Sequence, residues 1–326
     1  MDAVLGLDTS CYTTSAALAG EEGLIGQKRR LLTVEAGERG LQQSQGLFQH
    51  VVRLGGLVEE LMREHPEAHV RAVCASTRPR DVEGSYMPVF TVGEGHGRAV
   101  AAALHVPFFE TSHQQGHVRA ARVDSGLTGG DFLALHLSGG TTELLHAQGE
   151  RLTLLGGSND LHAGQFVDRV GVALGLVFPC GPALEALARR GTAHSLLPIW
   201  VKGLECSFSG SESAAQRLIA SSSLSPEDMA AEVYSCLART LARLFENARQ
   251  ATRQRRVLLS GGVASSLLLR ELLPDRLHRL KSPMKLYWGR PELSGDNACG
   301  VALIGVERLF ASAGATQSAE NRLQET

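Results

Sequence analysis

Two histidines, His113 and His117, lie four residues apart at the predicted start of a helix. Since a helix turns about once every 3.6 residues, both imidazoles project from one face, as two ligands of one metal ion would. Ser112 precedes them as a candidate N-cap. Surface histidines with this spacing also arise by chance, so the pair indicates a metal site only with a third ligand.

Asp296, just before the last apolar helix, is the candidate third ligand, although a carboxylate there could also only cap that helix. Two histidines and one carboxylate suit Fe²⁺ or Zn²⁺ better than Mg²⁺, which prefers oxygen ligands. A zinc peptidase is disfavoured, because Gln114 stands where the H-E-x-x-H motif has its glutamate base. The sequence also contains no G-x-S-x-G elbow and no P-loop.

Three turns rich in glycine or hydroxyl residues are candidates for binding an anion: Ser138–Thr142, Ser10–Thr14 and Ser260–Gly262. Glycine lets backbone N–H groups approach a phosphate and adopts positive φ without cost. The third turn opens a predicted helix, whose dipole favours an anion. The first turn alone could be an ordinary hairpin with a two-glycine turn. The first two align without a gap about half a chain apart, which predicts a duplicated domain with facing phosphate loops.

Two further segments could contact a nucleotide. Asp168, early in a predicted helix, could accept hydrogen bonds from ribose hydroxyls, or it could be an exposed helical acid. Gly181 opens the next helix, where it would permit close approach of a nucleotide, and Glu185 lies one turn further on, where it could bind a sugar. The alternative for this second segment is a plain turn with proline at the helix start.

Composition limits the class of protein. The chain has 326 residues, 43% of them hydrophobic, enough for two lobes, and its net charge of −2 gives no general basic field for nucleic acid. Six cysteines occur without a C-x-x-C pair, and no apolar run reaches the ~18 residues of a membrane span. Met1 leads directly into a strand pattern, so we expect a soluble cytoplasmic protein without a membrane partner.

The predicted elements repeat one order twice, as in an α/β fold of two ribonuclease-H-like lobes. The first half has strands 3–8, 13–19 and 24–30, a loop at 31–45, helix 44–64, strand 70–76, helix 93–104, strand 106–110 and helix 112–122. The second half has strands 132–137, 142–147 and 151–155, helices 164–174 and 181–190, an irregular stretch at 206–210, helices 211–220 and 226–254, strand 257–260, helix 265–273, strand 285–288 and helix 296–311. We expect an N-terminal lobe at 1–128 closed by helix 296–311, a C-terminal lobe at 129–295 and a flexible tail at 312–326.

Eight segments in this order resemble the TsaD family of transferases, once labelled O-sialoglycoprotein endopeptidases. The segments are Leu5–Cys11, Ser112–His117, Leu137–Gly140, Ala163–Arg169, Pro179–Pro182, Ser207–Gly210, Ser260–Val263 and Arg290–Asn297. The resemblance covers nearly all of residues 1–310. It implies an ASKHA (actin/Hsp70/sugar-kinase-like) fold with a central cleft between its two lobes.

The resemblance also implies an acyltransferase that moves a threonylcarbamoyl group to N6 of the adenosine beside the anticodon of a tRNA. One divalent metal ion, Fe²⁺ or Zn²⁺, would be held by His113, His117 and Asp296. An adenine nucleotide or threonylcarbamoyl-adenylate would be bound by His136, Leu137, Ser138, Gly139, Gly140, Asp168, Gly181, Glu185, Gly261, Gly262 and Ser266. Its expected partners are the tRNA and either other threonylcarbamoylation proteins or a second copy of the chain.

The sequence departs from the family pattern at five polar positions. The family has Asp-Glu after its first Thr-Ser-Cys, His after Ser-Gly-Gly, Lys two residues after Phe-Ser-Gly and Asn near the third glycine turn. Here those positions hold Tyr12, Thr13, Thr141, Glu212 and Ser266. Loss of the aspartate removes a base or an orienting carboxylate. Two alternatives therefore stay open: a paralogue that binds nucleotide and metal with another carbamoyl-type substrate, and a non-catalytic ASKHA binding subunit.

Overall fold

The computed structural model describes residues 1–10, 12–34 and 41–324, with side chains as far as residue 311. Cys11 and part of the loop predicted at 31–45 therefore lie outside the described residues. The chain divides into two compact units. Unit 1 comprises Met1–Ala120 and the segment from Asp296 onward, and unit 2 comprises Ala121–Gly295. Among the helices that the structure describes, none combines the length and the hydropathy that crossing a bilayer requires.

The first part of the chain alternates strands and helices as the apolar periodicity predicts. Its elements are β1 (Asp2–Thr9), β2 (Thr13–Gly20), β3 (Gly23–Leu31), α1 (Gln43–Glu64), β4 (His69–Arg78), α2 (Phe90–Leu104), β5 (Phe108–Ser112) and α3 (His113–Arg122). The five strands form one sheet in the order β3-β2-β1-β4-β5. β1 pairs antiparallel with β2 and parallel with β4, and β4 pairs parallel with β5.

Unit 2 begins with the same succession of three strands and a helix. Its elements are β6 (Asp131–Leu137), β7 (Thr142–Gln148), β8 (Arg151–Ser158), α4 (Ala163–Ala173), α5 (Gly181–Ala188), β9 (Trp200–Lys202), β10 (Glu205–Ser207), α6 (Ser209–Ala220), α7 (Pro226–Thr252), β11 (Arg256–Ser260), α8 (Leu267–Arg279) and β12 (Lys285–Trp288). A short 3-10 helix, Pro291–Leu293, follows, and the last element of the chain is α9 (Cys299–Gln324).

The unit 2 sheet confirms the predicted internal repeat. Its strand order is β9-β10-β8-β7-β6-β11-β12. The run β8-β7-β6-β11-β12 corresponds strand by strand to β3-β2-β1-β4-β5 of unit 1, with the same parallel and antiparallel pairings. The two short strands β9 and β10 extend it beyond β8. β10 includes the first two residues of the stretch at 206–210 that the sequence predicted as irregular, and β9 lies where the sequence predicted no element. Strands of three residues are too short to show a period of two.

The two cores are built separately. In unit 1, Leu5 and Leu7 are buried in the sheet, and α9 packs on the same strands. A Cβ at Gly6 would lie only 2.5 Å from the Ala302 nitrogen, so glycine is required where α9 crosses β1. In unit 2, the long helix α7 contributes most of its apolar face to the core, including Leu237 and Phe245.

Helix α9 is longer than the sequence predicted. The predicted end lay at residue 311, followed by a flexible tail over 312–326, whereas the helix continues to Gln324. The flexibility of this segment stays a prediction. Helix α8 likewise runs past its predicted end at 273 and through Pro274.

Candidate functional site

A reciprocal pair of hydrogen bonds begins α3 at the first histidine. β5 ends at Ser112, whose hydroxyl accepts from the Gln115 N–H at 3.1 Å. The Gln115 side-chain oxygen in turn accepts from the Ser112 N–H at 2.9 Å. This is a capping box, and it confirms Ser112 as the N-cap. The helix therefore starts at His113 in a fixed direction, and His117 lies one turn further along the same face.

Two glycines bring Asp296 to these histidines. A Cβ at Gly300, in the first turn of α9, would lie 1.8 Å from the Gly116 carbonyl oxygen, so α3 and α9 touch backbone to backbone at this point. The capping contact of α9 comes from Asn297, whose side-chain oxygen accepts from the Cys299 N–H at 2.9 Å. Capping alone, the alternative considered for Asp296, therefore does not account for its position.

The three candidate ligands converge on one point of unit 1. Nε2 of His117 lies 2.9 Å from Nε2 of His113 and 3.2 Å from Oδ1 of Asp296. Nε2 of His113 lies 3.5 Å from the same Oδ1. In a tetrahedral zinc site with bonds of ~2.0–2.1 Å, neighbouring ligand atoms are ~3.3 Å apart. The observed separations bracket this value, so the donor set fits one metal ion without large movement.

Asp8 holds the ring of His113 from its other side. The Asp8 carboxylate is fully buried, and its two oxygens lie 3.0 and 3.1 Å from Nδ1 of His113. Because a carboxylate can only accept, Nδ1 carries a hydrogen, and in the neutral ring Nε2 presents its lone pair to the cluster. Asp8 also accepts from the Ser76 hydroxyl. Asp8 was not among the predicted site residues, although a carboxylate at the end of an apolar strand was a usable signal.

Ser10 supports the third ligand. Its hydroxyl donates to Oδ2 of Asp296 at 2.9 Å, which leaves Oδ1 directed at the histidines. Ligand carboxylates are commonly held in this way by a second hydrogen bond. Ser10 belongs to the turn that the sequence predicted as a phosphate loop, so in unit 1 this turn supports the candidate metal site.

The electrostatics of this cluster favour a positive charge. Burial opposes the charged form of His113, but Asp8 and Asp296 outweigh it, and the pKa of His113 lies well above its ordinary value. Burial raises the pKa of Asp296, but the two histidines outweigh it and hold the pKa well below its ordinary value. Two carboxylates around two imidazoles therefore stabilise either protons or a cation.

In unit 2 the predicted glycine turns meet at the carboxyl ends of β6 and β11, which are parallel neighbours. The Leu137 carbonyl accepts from the Val263 N–H at 3.1 Å, and Nδ1 of His136 lies 3.2 Å from the Ser260 hydroxyl. The Ser138 carbonyl accepts from Gly164, at the start of α4, at 3.2 Å. The structure thus brings both turns and a helix N-terminus together.

The glycines of these turns divide into two kinds. Gly261 has φ +99°, and a Cβ there would lie 2.1 Å from the Leu137 carbonyl oxygen. Gly139, Gly140 and Gly262 have no positive φ, and a Cβ at each would meet nothing within 4 Å. The positive φ that the sequence suggested for Gly139 and Gly140 is therefore wrong. Neither packing nor backbone conformation requires glycine at these three positions. The open space beside them would allow a ligand to approach the backbone closely, and a side chain would fill that space.

The remaining predicted nucleotide contacts lie around the N-terminus of α8. The Ser266 hydroxyl accepts from Leu269 N–H at 3.1 Å, and Oε1 of Glu185 accepts from Leu268 N–H at 2.8 Å. The Gly181 carbonyl accepts from Tyr234, a residue that the sequence did not indicate, at 3.1 Å. Glu185 and Ser266 thus have structural partners, and their contact with a nucleotide stays a prediction.

Asp168 contacts the start of α5 and also lines a pocket in unit 2. Its Oδ1 accepts from the Cys180 N–H at 2.8 Å, just before α5. The pocket has a volume of about 620 Å³ and is lined by Gly139, Asp168, Arg169, Phe178 and Glu212, among others. The Phe178 side chain is 69% exposed at its rim. The pocket is therefore large enough for a nucleoside and offers both an aromatic surface and carboxylates.

Comparison with known proteins identifies the family to which the chain belongs. The model for "TsaD: tRNA N6-adenosine threonylcarbamoyltransferase" matches residues 45–303. A tRNA N6-adenosine threonylcarbamoyltransferase from Archaeoglobus fulgidus is 29% identical over 302 residues, 93% of this chain and 90% of the relative. A protein of the same name from Methanococcoides burtonii is 28% identical, covering 98% of this chain and 93% of the relative.

Solved structures share the fold at low identity. Component A of the (R)-2-hydroxyglutaryl-CoA dehydratase of Acidaminococcus fermentans has a TM-score of 0.54 at 14% identity, covering 94% of this chain and 99% of that one. A ROK family glucokinase from Streptomyces griseus, in complex with glucose and AMPPNP, has a TM-score of 0.54 at 12% identity, with the same coverage. These neighbours confirm the predicted α/β ASKHA fold. With a family model that matches most of its length, the chain belongs to the TsaD family.

Proposed function

We propose that the protein transfers a threonylcarbamoyl group from threonylcarbamoyl-adenylate to N6 of the adenosine beside the anticodon of a tRNA. Membership of the TsaD family and the names of the two archaeal relatives support the reaction class. In the transfer, a bond forms between N6 and the carbamoyl carbon and the bond from that carbon to the adenylate phosphate breaks. AMP leaves with the electron pair of that bond, and the proton lost from N6 passes to the departing phosphate or to water.

One observation carries the proposal: the convergence of His113, His117 and Asp296, with Asp8 buried behind the first ring. This arrangement would hold one divalent ion, Fe²⁺ or Zn²⁺. Such an ion, when bound, would polarise the carbamoyl group and stabilise negative charge that develops on it. Asp8 would keep Nε2 of His113 available as a ligand, and Ser10 would keep Oδ1 of Asp296 directed at the same point.

The unit 2 turns would hold the adenylate. Gly139 and Gly140 leave their backbone uncovered, and the N-terminus of α4 lies against the same turn. Backbone N–H groups and a helix N-terminus stabilise a phosphate, and they would do so most when it becomes the leaving group. Asp168 and Glu185 would accept hydrogen bonds from the ribose, and Gly181 and Ser266 would lie beside the nucleoside.

The test uses the full-length protein, its partner threonylcarbamoylation proteins and an unmodified tRNA. Mass spectrometry of the digested tRNA should detect N6-threonylcarbamoyladenosine, and a tRNA with guanosine at the acceptor position should yield none. Asp296→Ala should reduce the rate by at least about 100-fold. Absence of product under conditions in which an ordinary family member forms it would refute the proposal.

A second candidate is an ASKHA subunit that binds nucleotide without turnover. It is favoured by Glu212, which lines the pocket beside Asp168 where the family pattern has lysine. A carboxylate there cannot supply the positive charge of the lysine, so negative charge that develops during the transfer would be stabilised less. This candidate predicts retained oligomer formation and lost nucleotide binding in Gly139→Val, and any measurable turnover of the wild type would exclude it.

A further inference from the structure

A buried histidine outside the candidate ligand set contacts the turn that supports Asp296. His50, in α1, has no exposed surface. Its Nε2 lies 2.7 Å from the Ser10 carbonyl oxygen, and its Nδ1 lies 2.8 Å from the Thr14 hydroxyl. Since the carbonyl can only accept, Nε2 carries the hydrogen, and Nδ1 accepts from Thr14. Burial lowers the pKa of His50, and the hydrogen bond to Ser10 opposes this only in part, so the ring is neutral.

Ser10 needs such an anchor because it belongs to neither flanking strand. It lies between the end of β1 at Thr9 and the start of β2 at Thr13. Its hydroxyl has one hydrogen and two acceptors within reach, Oδ2 of Asp296 at 2.9 Å and the Thr13 carbonyl at 3.4 Å, and the contact to Asp296 is the shorter. The position of the hydroxyl therefore depends on how the Ser10 backbone is held.

We propose that His50 is a positioning residue for the metal centre: by donating to the Ser10 carbonyl, it places the Ser10 hydroxyl where it orients Asp296. The inference rests on the proposed metal site. The contacts form one continuous path within unit 1, from Nε2 of His50 through both polar groups of Ser10 to the candidate ligand. Thr14 donates to the other ring nitrogen, Nδ1, and lies outside this path.

The test measures Zn²⁺ affinity by competition with a chelator, with a melting curve for each variant. His50→Leu removes both hydrogen bonds and should weaken Zn²⁺ binding about 10–100-fold, the usual effect of losing a group that supports a ligand. His50→Gln can place an amide N–H near the former Nε2 and should bind Zn²⁺ within about threefold of the wild type. Thr14→Val, the matched control, leaves the donor to Ser10 in place and should also keep its affinity.

A double-mutant cycle separates positioning from general destabilisation. Ser10→Ala alone should weaken Zn²⁺ binding about as much as His50→Leu, and the double variant should be no weaker than Ser10→Ala, because both changes interrupt one path. Full additivity, or unchanged affinity in His50→Leu, would overturn the inference. If His50→Leu does not fold, His50→Asn takes its place: it retains only the Thr14 side of the ring and should lose affinity where His50→Gln does not.

The outcome also distinguishes the two proposals. If the wild type binds Zn²⁺ and His113→Ala abolishes that binding, the metal site stands whatever the His50 variants show. If His50 variants then keep full affinity, only the positioning role fails. Wild-type protein that does not bind Zn²⁺ or Fe²⁺ would contradict both.

Discussion

The buried carboxylate of Asp8 approaches Nδ1 of His113 at 3.0 Å, while Nε2 of the same ring faces His117 and Asp296. One imidazole is thus held at one nitrogen and directed at a candidate metal site with the other. The two residues are 105 positions apart in the sequence. They meet because β1 and β5 both run parallel to β4, which lies between them, so the carboxyl ends of the two strands are at the same edge of the sheet.

Asp8→Asn tests this contact. The amide can still accept from Nδ1 but has no charge to stabilise the ligand, so Zn²⁺ affinity should fall about 10–100-fold. The measurement is a chelator competition, with circular dichroism to show that the protein remains folded. Ser76→Ala, which removes only a hydroxyl donor to Asp8, should have a smaller effect. Unchanged affinity in Asp8→Asn would show that the carboxylate serves folding alone.

Gly139→Val tests the nucleotide turn. A Cβ at Gly139 meets nothing within 4 Å, so the melting temperature should stay close to that of the wild type. The side chain would nevertheless occupy the space in front of the backbone N–H groups, and calorimetry should show binding of an adenine nucleotide weakened by at least about tenfold. Nucleotide binding at full strength in the valine variant would place the phosphate elsewhere.

Gly164→Ala should lower the stability of the fold, in contrast to Gly139→Val. A Cβ at Gly164 would lie 2.6 Å from both the Gly139 Cα and the Ser138 carbonyl oxygen, so the turn and α4 must move apart. Overpacking of this kind costs about 1–3 kcal/mol of unfolding free energy, measurable by urea denaturation. Gly95→Ala is the matched control, because it is also in a helix but has open space, and it should be neutral or stabilising.

Asp160 should titrate unusually low. Burial raises its pKa, but hydrogen bonds from Ser207, Ser209 and the Phe208 N–H outweigh this and lower the pKa to about 2. Because the folded value lies below the unfolded value of ~3.9, Asp160 stabilises the fold above pH ~3.9, and this contribution is lost as the pH falls toward 2.

The pKa of Asp160 can be read from the pH dependence of its carboxyl carbon in NMR spectra. Replacing both Ser207 and Ser209 by alanine should raise it toward ~3.9, whereas Ser221→Ala, at the end of α6, should leave it unchanged. A wild-type value near 3.9 would mean that these hydrogen bonds do not persist in solution.

Local pattern predicted most of the fold, and it found the paired ligands. The helical period placed His113 and His117 on one face, and alternation and apolar runs located all strands except β9 and β10. The order of the first three strands and helix repeats in both halves, so the duplicated topology was also readable from the sequence.

Long-range contacts could not be predicted in this way. Asp8, Ser10 and His50 are distant in sequence from the ligands they support, and no periodicity links them. The approach of α9 to α3 depends on Gly116 and Gly300, whose role appears only when the helices cross. The sequence also could not show which glycines the backbone requires. Gly261 has a positive φ and no room for a Cβ, whereas Gly139 has neither restriction.

The metal content of the purified protein, measured by inductively coupled plasma mass spectrometry after loading with Zn²⁺ or Fe²⁺ and desalting, tests the proposed metal site directly. We expect about one equivalent per chain in the wild type and in His146→Ala, whose histidine pairs with Asp131 in unit 2. We expect near-complete loss of the metal in His117→Ala and in Asp296→Ala. Full metal content in either of these two variants would contradict the proposed metal site.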